Sequence, residues 1–224
     1  SGAYYSDLLK FKDLIRKNFS KKHFIVLGTN IESKNRKFFY NSFIILNNNL
    51  EIIYRYDKNK LVPFGEFLPF ENFLESIGFK KITQGYGSFS RGTSVNNFEY
   101  LGLNILPMIC YEIIFPELVQ RSSESTNLII NISEDGWFGK TIGPYQHFSK
   151  SIFRSVENNS YTIRSANKGI SAIINNKGKV IKRLEPFEAG TIELEVPILS
   201  RNFKNKNDLI FFILLFTYTT TFLI

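Results

Sequence analysis

An α/β fold of the sandwich type is what this sequence predicts, and three observations predict it. Short β-rich runs alternate with segments of helical periodicity through the middle of the chain. Two connections are hairpin turns, Asn47-Asn48-Asn49 and Asn176-Lys177-Gly178. Other connections are long enough to hold a crossover helix. Hairpins mixed with βα units suit a sandwich better than a simple doubly wound sheet. The 224 residues suffice for one sizeable domain but not comfortably for two. At 43% hydrophobic and 21% charged, the chain is neither disordered nor a polytopic membrane protein throughout.

The elements follow in order. Leu8, Phe11, Leu14, Ile15 and Phe19 recur at helical spacing and predict a first helix over 8–19. Residues 24–28 form a short apolar run, and 38–46 and 50–56 are strands joined by the first asparagine turn. Residues 104–109 form a strand that ends at Cys110, and a short helix over 113–121 places Pro116 in its first turn. Residues 128–132 read as a buried strand. Gly143-Pro144 then opens an amphipathic helix marked by Tyr145, Phe148, Ile152, Phe153 and Val156. Strands at 161–164 and 169–175 follow, the second turn leads to Val180-Ile181, and a strand over 191–196 closes the domain.

The ends differ from the middle. Ser1-Gly2-Ala3 starts without Met and without a signal peptide, as the interior of a longer protein or a processed product would. Residues 209–224 carry no charge, slightly fewer than the ~20 apolar residues a span needs. A buried C-terminal helix would show a polar stripe, and here Phe, Leu and Ile cover every side. The start of a transmembrane helix is the favoured reading, with Arg201, Lys204 and Lys206 placed to meet lipid headgroups. The expected division is a catalytic unit over 1–200 and a basic linker with a membrane segment over 201–224.

Lys and Arg number 28 against 20 Asp and Glu, giving a net charge of +8. Such a balance favours an anionic partner, nucleic acid or acidic lipid. No nucleic-acid motif accompanies the basic clusters at 10–22, 34–37, 58–60 and 201–206, which read first as solvated faces. One Cys and two His exclude an internal disulfide and argue against structural zinc, so no metal and no cofactor is expected.

Cys110 stands where an apolar strand meets a helix, a junction that exposes a side chain at a tight turn and suits an acyl-transfer nucleophile. A buried structural cysteine is the competing reading. His23 sits among lysines as a surface residue, and His147 on its helix reads as structural, so no Cys–His dyad is assigned. Lys58 ends a strand and Glu66 follows the Pro63-Phe64-Gly65 turn. A lysine near a developing oxyanion supplies charge where charge forms, and a neighbouring carboxylate holds it charged. By itself such a pair is as often a surface ion pair. Trp137 lies in a glycine-bearing loop and reads equally as a site residue or a core residue. The aromatics over 64–73 and at Trp137-Phe138 are candidates for lipid contact, which core packing explains nearly as well.

Three blocks together carry a family resemblance: YDKNKLVPFGEFLPF (56–70), ICYEIIFPELV (109–119) and NISEDGWFGKTIGPYQHF (131–148). They resemble the nitrilase-like catalytic domain of the bacterial apolipoprotein N-acyltransferases, and SFSRG (88–92) and RSANKGISAIINNKGKV (164–180) extend the match. The resemblance implies an α-β-β-α sandwich followed by the start of a C-terminal transmembrane helix. It assigns Cys110 as nucleophile, Lys58 as catalytic lysine, Glu66 as a second glutamate of the site, and Tyr111 and Glu112 as supporting residues. Trp137 joins them as a supporting or substrate-binding residue. It further implies transfer of a fatty acyl chain from a phospholipid, through a Cys thioester, to the amine of a diacylglyceryl-cysteine lipoprotein. The implied setting is the inner membrane, with the catalytic domain on the periplasmic side.

Two departures bear on the site. The family's general-base glutamate lies in a WPET-like segment expected a few residues before Ser1, and the first Glu here is Glu32, in a polar loop. This chain is therefore expected to lack its base and the N-terminal strand. Glu134-Asp135 replaces the family's Asn-Asp, so the extra carboxylate either changes the loop's hydrogen bonds or faces solvent. Placing Arg201, Lys204 and Lys206 outside also runs against the usual excess of positive charge in the cytoplasm. The alternatives are a soluble amidase using the same Cys and Lys, and an inactive membrane-attached module.

Overall fold

The computed structural model describes residues 5–33, 38–70, 88–120, 126–199 and 207–222, together with Ser76 and Gly78. The expectations for Ser1-Gly2-Ala3, for the basic clusters at 34–37 and 201–206, and for residues 71–73 lie outside the described residues.

A three-stranded antiparallel sheet comes first: β1 (Ile25–Glu32), β2 (Phe39–Leu46) and β3 (Ile52–Asp57), in that spatial order. The β2–β3 turn is the predicted asparagine turn. The Asn47 side chain accepts the N–H groups of Asn49 and Glu51, and Leu50 takes a left-handed φ of 59° to close it. A six-stranded mixed sheet follows: β4 (Phe98–Tyr100), β5 (Leu103–Ile109), β6 (Leu128–Glu134), β7 (Tyr161–Asn167), β8 (Ser171–Ile174) and β9 (Val180–Leu184). The central trio β5-β6-β7 is parallel and the flanking pairs are antiparallel.

Parallel neighbours need crossovers, and helices supply them. Helices α1 (Tyr5–Leu8) and α2 (Lys12–Asn18) precede the first sheet. Helix α3 (Pro116–Gln120) links β5 to β6, and α4 (Gly143–Glu157) links β6 to β7. The strand alternation decides the layering. Phe43 and Ile45 of β2 meet Tyr56, Ile109, Ile130 and Ile132 between the two sheets. Ile44 and Leu46 point the other way, against Tyr5, Leu8 and Ile15 of the first helices. On the outer face of the large sheet, Leu106, Met108 and Ile129 pack against Ile113, Leu118 and Val119, and Ile170, Ala172 and Ile174 pack against Phe148 and Ile152 of α4. Helices thus cover the outside of two facing sheets.

Three readings change. Residues 191–196 form no strand: their exposure alternates as TIELEV predicts, but no ladder partner pairs with them among the described residues, and the Glu193 carbonyl instead accepts from Lys182 Nζ at 2.8 Å. The short strand β4 was not foreseen, since three residues show no periodicity; its signal is the Leu101-Gly102 turn, with φ of 46° and 83°. The first helix is broken by a 3-10 turn over Leu9–Phe11. Helix α5 (Asn207–Phe222) exposes its apolar residues from Leu209 to Tyr218. No helix among the described residues is long and apolar enough to cross a membrane.

Candidate active site

Strand β5 delivers Ile109 into the seam between the sheets, and the chain then turns sharply. Cys110 holds a left-handed φ of 51°, costing a non-glycine residue roughly 1–2 kcal/mol. It opens the 3-10 turn Cys110–Ile114 and lies half-buried beside Ile109 and Tyr56. The expected elbow is therefore present, and it is strained.

Glu112 fastens this elbow to the other sheet. The residue is 0% exposed, and its carboxylate accepts from Ile109 N at 2.9 Å on one oxygen. The other oxygen accepts from Tyr56 Oη at 2.8 Å, Asn59 N at 2.6 Å and Lys60 N at 3.0 Å. Burial pushes the Glu112 carboxyl up, while the main-chain donors and the Lys58 charge pull against it. Burial and then the Glu112 charge push the Tyr56 hydroxyl up, which keeps it a donor. One carboxylate thus joins the Cys110 turn to the loop that follows Lys58.

Lys58 is 1% exposed, and its ammonium sits 2.8 and 2.7 Å from the two Glu66 oxygens. Glu66 also accepts from Asn41 Nδ2 at 2.8 Å and Val62 N at 2.9 Å, so its carboxylate is oriented by the β2 strand and by its own turn. Phe64 takes a left-handed φ of 62° in that turn. The predicted pair is real, and it is an enclosed, hydrogen-bonded one rather than a surface bridge. Gly92 secures its base: Gly92 N donates to the Lys58 carbonyl at 2.8 Å, and a Cβ there would stand 2.0 Å from the Asp57 carbonyl oxygen. Gly92→Ala is therefore expected to cost about 1–3 kcal/mol by displacing the end of β3, read as a lowered urea midpoint with an unchanged slope.

A second buried group lies behind the cysteine. His147 Nε2 is 3.1 Å from the Cys110 carbonyl oxygen, and because a carbonyl only accepts, Nε2 carries a hydrogen. His147 Nδ1 is 2.9 Å from Asp135 Oδ1 and 3.1 Å from Arg164 Nη2. Arg164 Nη2 donates to Asp135 Oδ2 at 2.7 Å, and its Nη1 donates to Asn131 Oδ1. Asn131 Nδ2 in turn reaches the carbonyls of Met108 at 3.1 Å and Cys110 at 3.4 Å. Burial pushes the Asp135 carboxyl up, but the His147 and Ser133 hydrogen bonds and the Arg164 charge outweigh it and hold it at about 2. A carboxylate held low in the folded state stabilises it above the unfolded value near 4. That contribution, about 2 kcal/mol, drains away as pH falls from ~4 towards ~2. Wild-type stability should thus fall more steeply through this window than that of a variant whose folding no longer depends on this ionisation. Asp135→Asn, less stable at neutral pH, is expected to show a flatter stability profile over that window.

The other readings resolve as follows. His147 touches the cysteine backbone and not its thiol, in keeping with a structural role, and His23 lies in an exposed turn bonded to Ser20. Trp137 is 64% exposed, which sets aside the core reading. Tyr111, also exposed, lies with its ring 5.9 Å from Phe115 and 6.1 Å from His147. Phe64 and Phe70 are exposed. Glu134 does not simply face solvent: it caps Gly136 N at 2.9 Å and accepts from Asn167 Nδ2 at 2.7 Å. Glu32 ends β1 rather than following it. Asn41, Asn131, Asp135 and Arg164 were not singled out from sequence. Their one signal was a polar side chain at an inward position of an otherwise apolar strand or its end.

The carbon-nitrogen hydrolase family model matches residues 8–200. An apolipoprotein N-acyltransferase from Rhizobium leguminosarum bv. trifolii is 44% identical over 159 residues, which are 70% of this chain and 30% of that protein. The chain thus spans about a third of the length of the curated relatives it matches. Among solved structures, a Saccharomyces cerevisiae member of the nitrilase superfamily superposes with a TM-score of 0.57 at 19% identity, covering 82% of this chain and 62% of that one. An amidase from Nesterenkonia sp. gives 0.55 at 15% identity, with 79% and 61% covered. These structural likenesses speak to the fold alone. With the family model spanning both sheets and every residue of the Cys110 and Lys58 sites, the chain belongs to the carbon-nitrogen hydrolase family.

Proposed function

We propose that the chain is the catalytic part of an N-acyltransferase that moves a fatty acyl chain from a phospholipid to the N-terminal amine of a diacylglyceryl-cysteine lipoprotein. The observation that carries this reading is Cys110 on a strained elbow tied by Glu112 to the Lys58 loop, in a chain similar to proteins named apolipoprotein N-acyltransferase. In this reading the Cys110 thiolate attacks the ester carbonyl of the donor. The ester C–O bond breaks, the lysophospholipid leaves with a proton, and the acyl chain stays as a thioester. The acceptor amine then attacks, the C–S bond breaks, and the amine's proton is lost as the thiolate returns. Lys58, held in place by Glu66, stabilises the oxyanion in both halves.

The exposed apolar face of α5 supports a membrane setting, with Arg201, Lys204 and Lys206 ahead of it as headgroup contacts and α5 as the start of a span. Placement at the inner membrane with the catalytic domain outside the cytoplasm belongs to the same proposal. Exposed Trp137 and Tyr111 are proposed to touch the acyl chain or the acceptor.

The test is to incubate the gene product carrying this chain with a fluorescent phospholipid and look for a hydroxylamine-sensitive adduct on Cys110. A labelled thioester that is discharged by a diacylglyceryl-cysteine peptide is the expected result. Turnover of small amides with no lipid adduct would replace this reading with a soluble amidase.

A further inference from the structure

The chemistry above leaves Asn131, Asp135, His147 and Arg164 without a task, although all four are buried and joined by hydrogen bonds. A surface network is worth little, but a closed buried one fixes the atoms it ends on. This one ends on the Cys110 carbonyl oxygen, held by His147 Nε2 at 3.1 Å and Asn131 Nδ2 at 3.4 Å. That carbonyl belongs to the residue whose φ of 51° is intrinsically unfavourable, so the network opposes its relaxation.

The peptide plane gives the contact a direction. Peptide 110–111 is trans, so its N–H points opposite to its C=O. His147 reaches the elbow from α4, on the outer face of the large sheet, whereas the Lys58 loop reaches it from the other sheet through Glu112. Turning the carbonyl toward His147 therefore turns the Tyr111 N–H toward the Lys58 side, where an acyl oxygen would gain negative charge. Arg164 and Asp135 act one step back: they hold the imidazole in the orientation that presents Nε2–H to the carbonyl.

We propose that His147 is a positioning residue for acyl transfer, holding the 110–111 peptide so that the Tyr111 N–H faces the oxyanion alongside Lys58. This rests on the reading of Cys110 as the nucleophile. His147 neither takes the thiol proton nor touches the acyl group.

The test compares wild type with His147→Gln, which keeps an N–H donor, and His147→Phe, which keeps a ring without one. With a fluorescent phospholipid as donor, His147→Phe is expected to acylate Cys110 about 10- to 100-fold more slowly at saturating lipid, with half-saturation unchanged, the scale of a misaligned reacting group. His147→Gln should recover most of the rate. Equal slowing of both variants, or a loss confined to half-saturation, overturns the proposal. A second readout needs no turnover. The chain has a single cysteine, so carbonyl-13C cysteine with 15N tyrosine isolates the Cys110–Tyr111 amide as one carbonyl-coupled resonance. That resonance should shift in His147→Phe and stay near wild type in His147→Gln; an unmoved resonance in a folded His147→Phe overturns the proposal. If the Phe variant does not fold, His147→Met takes its place under the same criteria. Absence of any thioester in wild type would instead strike the nucleophile assignment, with the resonance still reporting on His147.

Discussion

Cys110→Ala is expected to abolish acyl-enzyme formation outright, with no residual thioester by intact mass, while the fold survives. The side chain is small and half-buried, so its loss leaves little cavity, and the elbow is held from outside by Glu112, Asn131 and His147. Cys110→Ser keeps the geometry and should acylate slowly, yet accumulate an oxygen ester that passes its acyl chain to amines poorly. Cys110→Gly separates strain from chemistry. Because the position sits at a φ of 51°, glycine there is expected to raise or preserve the melting temperature while eliminating activity. A melting temperature several degrees below wild type would refute the strain argument.

The second large effect falls on Lys58. Lys58→Ala removes the one charge proposed to face the oxyanion and leaves the Glu66 carboxylate, fixed by Asn41 and Val62, without its counter-ion. Acylation should fall about 10²–10³-fold, the scale of a lost oxyanion donor. Stability should fall by about 3–5 kcal/mol, the cost of a broken enclosed ion pair. The Lys58→Ala/Glu66→Ala double variant tells the two effects apart. It should regain much of the lost stability, since no unpaired charge remains, and none of the lost rate. Equal rates for Lys58→Ala and wild type would remove the lysine from the mechanism.

The elements most legible in sequence were those set by local pattern. The β2–β3 hairpin followed from three asparagines between apolar runs, and α4 from Gly143-Pro144 and its apolar stripe. The elbow followed from an apolar strand ending at a lone cysteine, and the Lys58–Glu66 pair from eight residues around a turn. What escaped was long-range. Glu112 meets Asn59 and Lys60 across more than fifty residues, and Arg164 meets Asp135 across twenty-nine. No periodicity records which buried polar groups will find one another. The alternation at 191–196 misled because an amphipathic extended segment has the same pattern whether or not a neighbouring strand pairs with it.

The Glu112 bridge makes catalytic competence a late event in the life of the chain. Its donors come from the end of β3 in one sheet and the end of β5 in the other, so neither sheet alone can form the site. While the polypeptide emerges, and whenever the two layers part, the Cys110 turn is no longer fastened to the loop that follows Lys58. An enzyme of the proposed kind would thereby stay silent toward lipid until its halves have closed, and heat or denaturant that separates them should extinguish activity before either sheet melts.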